Sequence, residues 1–155
     1  MSKSVARVEA ALAELGLIAE VLRMPETTRS AADAARACGC DVSQIVKSLV
    51  FEGADTGELK LVLLGGHHEL DMAQAEGIFG EGLKRADPKR VRNETGFAIG
   101  GVAPLGHIAP MDTWMDESLL AHDKVWAAAG APNAVFCVDP AQLAELPNVR
   151  RFLQA

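Results

Sequence analysis

The residues whose spacing suggests chemistry most directly are Gly100-Gly101-Val102-Ala103-Pro104-Leu105-Gly106. Three glycines and one proline in seven residues exclude a helix or a regular strand. Glycine reaches positive φ and, lacking Cβ, lets a ligand or another backbone come close. Pro104 fixes its own φ and gives up its N–H, and it pushes Ala103 out of the helical region. The loop follows a β-type run, Phe97-Ala98-Ile99. A strand ending in such a loop can present bare N–H groups to a phosphate or a developing oxyanion. The same composition also suits a tight turn between two strands, and spacing leaves both readings open.

Three further groups carry chemistry. Lys47 stands where a short helical piece gives way to the apolar run Ser48-Leu49-Val50-Phe51, a position that suits a solvated strand end. Lys84, Arg85, Lys89, Arg90 and Arg92 cluster with only Asp87 opposing them, which suits a solvated face or a contact with a phosphate backbone. Cys38 and Cys40 form Cys-x-Cys, Cys137 is alone, and His67-His68 lacks a Glu-x-x-His partner. No zinc spacing results, and no metal is expected. The chain has no Gly-x-Ser-x-Gly elbow, phosphate-binding Walker sequence or Gly-x-Gly-x-x-Gly fingerprint. His107 draws notice because it adjoins the glycine loop.

The elements that must position these groups are short. Val5, Val8, Leu12 and Leu15 form one apolar helix face, with Arg7, Glu9 and Glu14 on the other side and Gly16 at the end. Leu17 to Met24 reads as a strand closed by Pro25. Thr27-Thr28-Arg29-Ser30 begins a helix, with Ser30 as cap and Asp33 three residues on, leading into the alanine-rich stretch to Cys38. Asp41 caps a second short helical piece. Lys47 to Phe51 and Leu59 to Leu64 pair as a hairpin across a loop from Glu52 to Glu58. Asp71 to Phe79 and Pro88 to Thr95 are helical. Asp112 to Met115 is extended, and Asp116 to Leu120 forms a turn or a single helical turn. Lys124 to Ala128 and Ala134 to Val138 are strands about the turn Gly130-Ala131-Pro132-Asn133. Asp139 caps a last helix with Pro140 at its first position, Leu143 and Leu146 inward and Pro147 at its end. Hairpins mixed with short helices, without β–α–β alternation, give an α+β fold with a mixed, largely antiparallel sheet.

A chain of 155 residues suits one domain. With 49% hydrophobic and 23% charged residues it has the balance of a soluble globular protein. No apolar run approaches the roughly 20 residues of a membrane helix, and the first residues lack the apolar core of a signal peptide. The expected location is the cytoplasm, with no membrane partner. Three cysteines do not suggest a disulfide framework. A net charge of −6 argues against nucleic-acid binding by overall charge but allows one local basic face. On residues alone, the alternatives are a small-ligand binding domain and a hydrolase that works through backbone amides.

Taken together, these residues resemble the YbaK-like family of aminoacyl-tRNA deacylases, related to the editing domain of bacterial prolyl-tRNA synthetase. The strongest likeness is Thr95-Gly96-Phe97-Ala98-Ile99-Gly100-Gly101-Val102-Ala103-Pro104-Leu105-Gly106, which holds the family's Gly-x-x-x-Pro loop as Gly100 to Pro104. Ser43 to Phe51 resembles the family's lysine segment, and Asp116-Glu117-Ser118 and Ala128 to Asn133 match in order and spacing. The resemblance covers nearly all of residues 1–155. It implies a curled, partly barrel-like mixed sheet surrounded by short helices. It also implies hydrolysis, in trans, of the ester between a small non-cognate amino acid (Ala, Ser, Thr or Cys) and the 3′ end of tRNA, foremost that for proline. The implied roles are catalytic for Lys47, Gly100, Gly101, Val102 and Pro104, and substrate-binding for Ser48, Ala103, Leu105, Gly106 and His107. Lys84, Arg85, Lys89, Arg90 and Arg92 would touch tRNA. No cofactor is implied, the partner is aminoacyl-tRNA, and a synthetase is a transient partner. Some members carry a histidine after the late-turn glycine, or an aspartate in the next strand. Here Ala131 follows Gly130, and the strand is Ala134-Val135-Phe136-Cys137-Val138. A non-catalytic module of the same fold that binds tRNA or nucleotide is the alternative.

Overall fold

The computed structural model describes residues 3–25 and 30–154. The helix start expected at Thr27-Thr28-Arg29 lies outside the described residues, while its cap is visible: Ser30 Oγ accepts the Asp33 N–H at 3.0 Å. Helix α1 (Lys3–Glu14) buries Val5, Val8 and Leu12. Leu15, expected on that face, lies beyond the helix and is 45% exposed. α2 (Ala31–Cys38) ends at Gly39, whose φ of 68° closes the helix in the left-handed region.

The sheet expected from the sequence is two sheets. β2 (Val46–Gly53), β3 (Leu59–Gly65), β4 (Leu83–Arg85), β5 (Asp112–Asp116) and β8 (Val149–Phe152) form one, in the order β4-β2-β3-β5-β8. β1 (Val21–Arg23), β6 (Val125–Ala128) and β7 (Ala134–Val138) form the other, in the order β1-β7-β6. The β2–β3, β2–β4, β1–β7 and β6–β7 pairs are antiparallel; β3–β5 and β5–β8 are parallel. The fold is therefore mixed α+β. Among the described residues no closed barrel forms: the sheets meet at one parallel bridge, between Ile45 and Trp126.

β3 is the centre, buried along its whole length. Leu61 and Leu63 face one core with Val46, Phe97 and Phe136, while Val62 and Leu64 face another with Phe79 and Trp114. A strand covered on both faces reads as a continuous apolar run rather than an alternation. The remaining helices, α3 (Ala75–Phe79), α4 (Pro88–Thr95) and α5 (Pro140–Ala144), are short, with side-chain caps from Asp87 for α4 and Asp139 for α5.

Several expectations are corrected. Leu17 to Met24 pairs only over β1, because three residues alone meet β7 and Ile18 stands in solvent. β4 and β8 lie where no strand was read; they are edge strands whose Lys84, Arg85, Arg150 and Arg151 are exposed, and charge of this kind hides an edge strand from an apolar pattern. Phe97-Ala98-Ile99 is not a strand. Phe97 is buried and Ile99 exposed, which imitates alternation, but the backbone is a bend running into a turn.

One buried ion pair fastens the β2–β3 hairpin. Glu81 and Lys60, both buried, stand 3.3 Å apart, and the Lys60 ammonium lies 5.0 Å from the centre of the Trp114 ring. Glu81 accepts the N–H groups of Asp55 (2.8 Å) and Thr56 (2.9 Å) and the Thr56 hydroxyl (2.8 Å). The Thr56 donors, then Asp55 N–H and Lys60, hold the Glu81 carboxyl at about 2, below its ordinary 4.5. A depressed carboxyl stabilises the fold above its unfolded pKa, and that contribution is lost as pH falls through the folded one. Wild type is therefore expected to exceed Glu81→Gln in unfolding free energy at neutral pH, with the gap closing between pH 4.5 and about 2. Urea titrations at a series of pH values measure it; a gap constant with pH contradicts the assignment.

Candidate active site

The glycine loop starts at the end of α4, where Gly96 takes φ 84° and its N–H returns to Arg92 O. The Thr95 hydroxyl donates to Val91 O (2.7 Å) and accepts the Phe97 N–H (3.0 Å), which turns the chain inward. Residues 98–101 form a turn closed by Gly101 N–H to Ala98 O at 3.0 Å. Gly100 is its third residue, at φ 96°, a position where a type II turn needs glycine. Gly101 lies against Ala131: a Cβ there would stand 3.3 Å from that residue's backbone. The loop then goes under, and Val102, Ala103, Pro104 and Leu105 are all buried.

Two side chains hold the loop in this shape. Arg7, which the helix pattern placed on the outer side of α1, instead reaches across it. Its Nε donates to Gly106 O (3.1 Å), a terminal NH2 donates to Gly96 O (2.5 Å), and the guanidinium lies over the Phe97 ring at 5.0 Å. One fork thus ties both ends of the segment. His107 Nε2 donates to Ala103 O at 2.7 Å, and its ring meets Phe97 edge-on. Burial, only partly offset by that hydrogen bond, lowers the His107 pKa. The imidazole is neutral at pH 7 and stands behind the loop, outside the lining of the cavity.

The cavity has a volume of about 1010 Å³ and opens where the two sheets part. Of the residues implied by the resemblance, Lys47, Ser48, Gly100, Val102 and Arg85 line it. Gly101, Ala103, Pro104, Leu105 and Gly106 lie behind it as support. The N–H of Gly101 is spent on the turn, whereas among the described residues those of Gly100 and Val102 have no partner. Lys47 donates from Nζ to His68 O and stands 3.9 Å from the exposed carboxylate of Glu69.

Another part of the cavity wall is β2, from Val46 to Phe51. Ile45 O accepts Gly66 N–H and Gly53 N–H donates to Glu58 O, both towards β3. Because polar groups alternate sides along a strand, those of Lys47, Leu49 and Phe51 also face β3, and those of Ser48 and Val50 face away. β4 begins its pairing only at Phe51, and β6 joins β2 only through the bridge at Ile45, so no ladder pairs with Ser48 or Val50 on that side among the described residues. The Ser48 hydroxyl is buried with no hydrogen-bond partner, a state that costs free energy unless a ligand or water completes it.

The basic stretch is not five free charges. Lys84 and Arg90 both bind Glu52, at 3.0 and 2.5 Å, and Arg90 also pairs with Glu94. Arg85, Lys89 and Arg92 are exposed and outside these pairs, and Arg85 alone reaches the cavity wall. Nothing in the sequence marked Arg7 or the Asp116–His68 hydrogen bond (2.7 Å) as neighbours of the site; both depend on contacts between distant segments.

The mixed α+β fold, with a cavity between its two sheets lined by Lys47, Ser48, Gly100 and Val102, can be set beside known proteins. Residues 25–146 match the aminoacyl-tRNA editing domain, and the chain belongs to that family. It is similar over 98% of its length to a crystal structure described as a "putative trans-editing enzyme for prolyl tRNA synthetase", with a TM-score of 0.90, 43% identity and 96% of that chain covered. It is 29% identical over 126 residues to the uncharacterized protein YwhH of Bacillus subtilis (81% of this chain, 80% of that one). It is 27% identical, over 76% of each chain, to a "putative Cys-tRNA(Pro)/Cys-tRNA(Cys) deacylase", EbsC, of Enterococcus faecalis. No helix among the described residues is long and apolar enough to cross a membrane.

Lysine has one ammonium where arginine has a planar fork, so Arg7→Lys cannot reproduce both contacts. Losing one charge-assisted hydrogen bond is expected to lower unfolding free energy by about 1.5–3 kcal/mol. Denaturant unfolding checks this, and an unchanged midpoint contradicts the tie.

Proposed function

We propose that the chain is a trans-acting deacylase that removes a small non-cognate amino acid, Ala, Ser, Thr or Cys, from tRNA(Pro). The observation that carries the reading is the meeting of Lys47 with the unpaired N–H groups of Gly100 and Val102 on one cavity. An aminoacyl ester is already activated, so water suffices as nucleophile. Water adds to the carbonyl carbon, and the carbonyl oxygen takes up negative charge. The ester C–O bond then breaks, and the leaving ribose oxygen takes a proton. A hydroxyl of the same ribose assists the water, as the family resemblance implies. The Gly100 and Val102 N–H groups stabilise the oxyanion; one such donor is worth about 3–4 kcal/mol in well-studied hydrolases. Lys47 holds the terminal phosphate or ribose as a point charge.

Val46, Val50, Ala127 and Val135 line the same cavity as Ser48. A hydrophobic pocket discriminates by only about 1–3 kcal/mol per methylene, so selection rests on volume, with the Ser48 hydroxyl as its polar contact. Pro104 stiffens the loop, while Ala103, Leu105, Gly106 and His107 act by supporting it. The reading is supported by family membership, by the likeness to a trans-editing enzyme for prolyl-tRNA synthetase and by EbsC's name. A synthetase is then a transient partner.

The decisive assay is release of amino acid from tRNA(Pro) charged separately with Ala, Ser, Thr, Cys or Pro. One small amino acid is expected to be hydrolysed and Pro spared, with Lys47→Ala slower and Gly100→Val, which displaces an oxyanion donor, slower by about 100-fold or more. No release from any of the five rejects editing on this tRNA. Among the described residues the lining of the cavity includes neither histidine nor aspartate, and its carboxylate is the exposed Glu69. This favours, as second reading, a module that binds tRNA without turnover; tight binding with no release is its signature.

For tRNA binding, ion pairing divides the basic stretch. Arg85, Lys89 and Arg92 are proposed to bind phosphates, and Lys84 and Arg90 are secondary because Glu52 offsets them. Changing the first three to alanine is expected to reduce the slope of log affinity against log salt by about 0.7–0.9 for each phosphate no longer neutralised. An unchanged slope makes the stretch a solvated face.

A further inference from the structure

Lys47 is a flexible side chain that must place one charge, and the structure shows what aims it. In the β2–β3 ladder Lys47 stands opposite Leu64, so the turn following β3 is its neighbour. That turn is held throughout. Gly66 N–H donates to Ile45 O (2.7 Å), and His68 N–H donates to Gly65 O (2.8 Å). Gln154 clamps the far end, accepting Asp71 N–H (2.7 Å) and donating to Glu69 O (3.1 Å). Asp116, at the end of β5 and 3% exposed, accepts Gly65 N–H at 3.0 Å and Ser118 N–H at 2.9 Å. It also accepts from His68 Nδ1 at 2.7 Å. The His68 ring stacks on His67 at 3.8 Å between centroids, while the His68 main-chain carbonyl accepts the hydrogen bond of the Lys47 ammonium.

Burial alone would raise the Asp116 pKa, but the hydrogen bonds from Gly65, His68 and Ser118 outweigh it and hold the carboxyl below its usual range. The group is ionised at neutral pH and can only accept, so His68 Nδ1 carries the proton between them. Glu69, the other partner of Lys47, is 99% exposed and 3.9 Å away; an ion pair so placed does little to fix a side chain.

We propose that Asp116 and His68 are positioning residues for Lys47: the buried carboxylate fixes the imidazole, the imidazole fixes its own peptide, and the peptide carbonyl selects the lysine conformer that serves the cavity. Neither side chain lines the cavity, and the functional part of the claim rests on the deacylase reading above. The arrangement converts a rigid end of the sheet into a defined place for one mobile charge. It also gives the His-His pair, which no metal spacing explained, a purpose in the main chain.

The test is a double-mutant cycle joined to a spectroscopic readout. His68→Ala removes the ring but keeps the carbonyl, and leaves Asp116 its two backbone donors. It is expected to lower kcat/KM for deacylation by about tenfold, while adding less than about twofold in a Lys47→Ala background, since two residues acting as one unit are not additive. His68→Gln, whose amide can donate to Asp116, is expected to recover activity to within about threefold of wild type. An equal loss in both backgrounds, or no loss in either, overturns the proposal. Nitrogen NMR of the Lys47 ammonium is independent of turnover: its resonance is expected to move in His68→Ala and return in His68→Gln. Should wild type hydrolyse no charged tRNA, the deacylase reading fails, and the aiming of Lys47 stands or falls on this resonance. A Lys47 signal identical in wild type and His68→Ala overturns the positioning claim.

Discussion

A loop of glycines cannot hold its own shape, and the two hydrogen bonds from Arg7 to the carbonyls of Gly96 and Gly106 supply what it lacks. Glycine loses more backbone freedom on ordering than any other residue. The stretch that has to present amides to a ligand is therefore the most costly to order. The guanidinium meets that cost in one place: a planar fork satisfies two carbonyls at once and lies on the Phe97 ring. The Thr95 hydroxyl on one side and His107 on the other complete the frame. Helix α1 is thus a part of the site, although none of its residues lines the cavity.

The cavity follows from topology more than from any single residue. Two sheets joined at Ile45 and Trp126 do not go on pairing beyond that bridge among the described residues, and β2 lines the cavity with Ser48 and Val50 outside any ladder on that side. Main-chain groups that a wider sheet would have paired are left facing the space. A buried hydroxyl on Ser48 without a partner is a liability in an ordinary core; beside an open strand edge it marks a wall prepared for something polar. The chemistry proposed for the site is of the same kind, since it draws on peptide N–H groups and one ammonium, with the substrate supplying the rest.

Charge is handled locally. The chain is acidic overall, with a net charge of −6, yet Arg85, Lys89 and Arg92 are exposed while Glu52 takes up Lys84 and Arg90. Elsewhere carboxylates serve as acceptors inside the protein. Glu81 gathers the hairpin loop, and Asp116 joins the ends of β3 and β5 to the turn beside Lys47. In both cases the carboxylate is kept ionised by main-chain and side-chain donors arranged around it.

The local rules in the sequence were enough for the elements with strong punctuation. Pro88 and Asp139-Pro140 start helices, Gly39 stops one, and the apolar run from Leu59 is a strand. Gly100 and Pro104 marked the loop, and Lys47 the strand beside it, because backbone conformation and charge are written in residue type. The sequence did not show β4 and β8, whose outward charges conceal an edge, or the parallel pairing of β5 between β3 and β8. It misplaced Arg7, since helical periodicity tells which face a residue shares but not what approaches that face. Pairing across 99 residues for Arg7 with Gly106, and across 48 for His68 with Asp116, is created by the packing itself. Residue types determined what groups were available; only the tertiary structure decided which N–H groups stay free, which cations are spent, and where the lysine points, because each of these depends on neighbours that sequence spacing does not bring together.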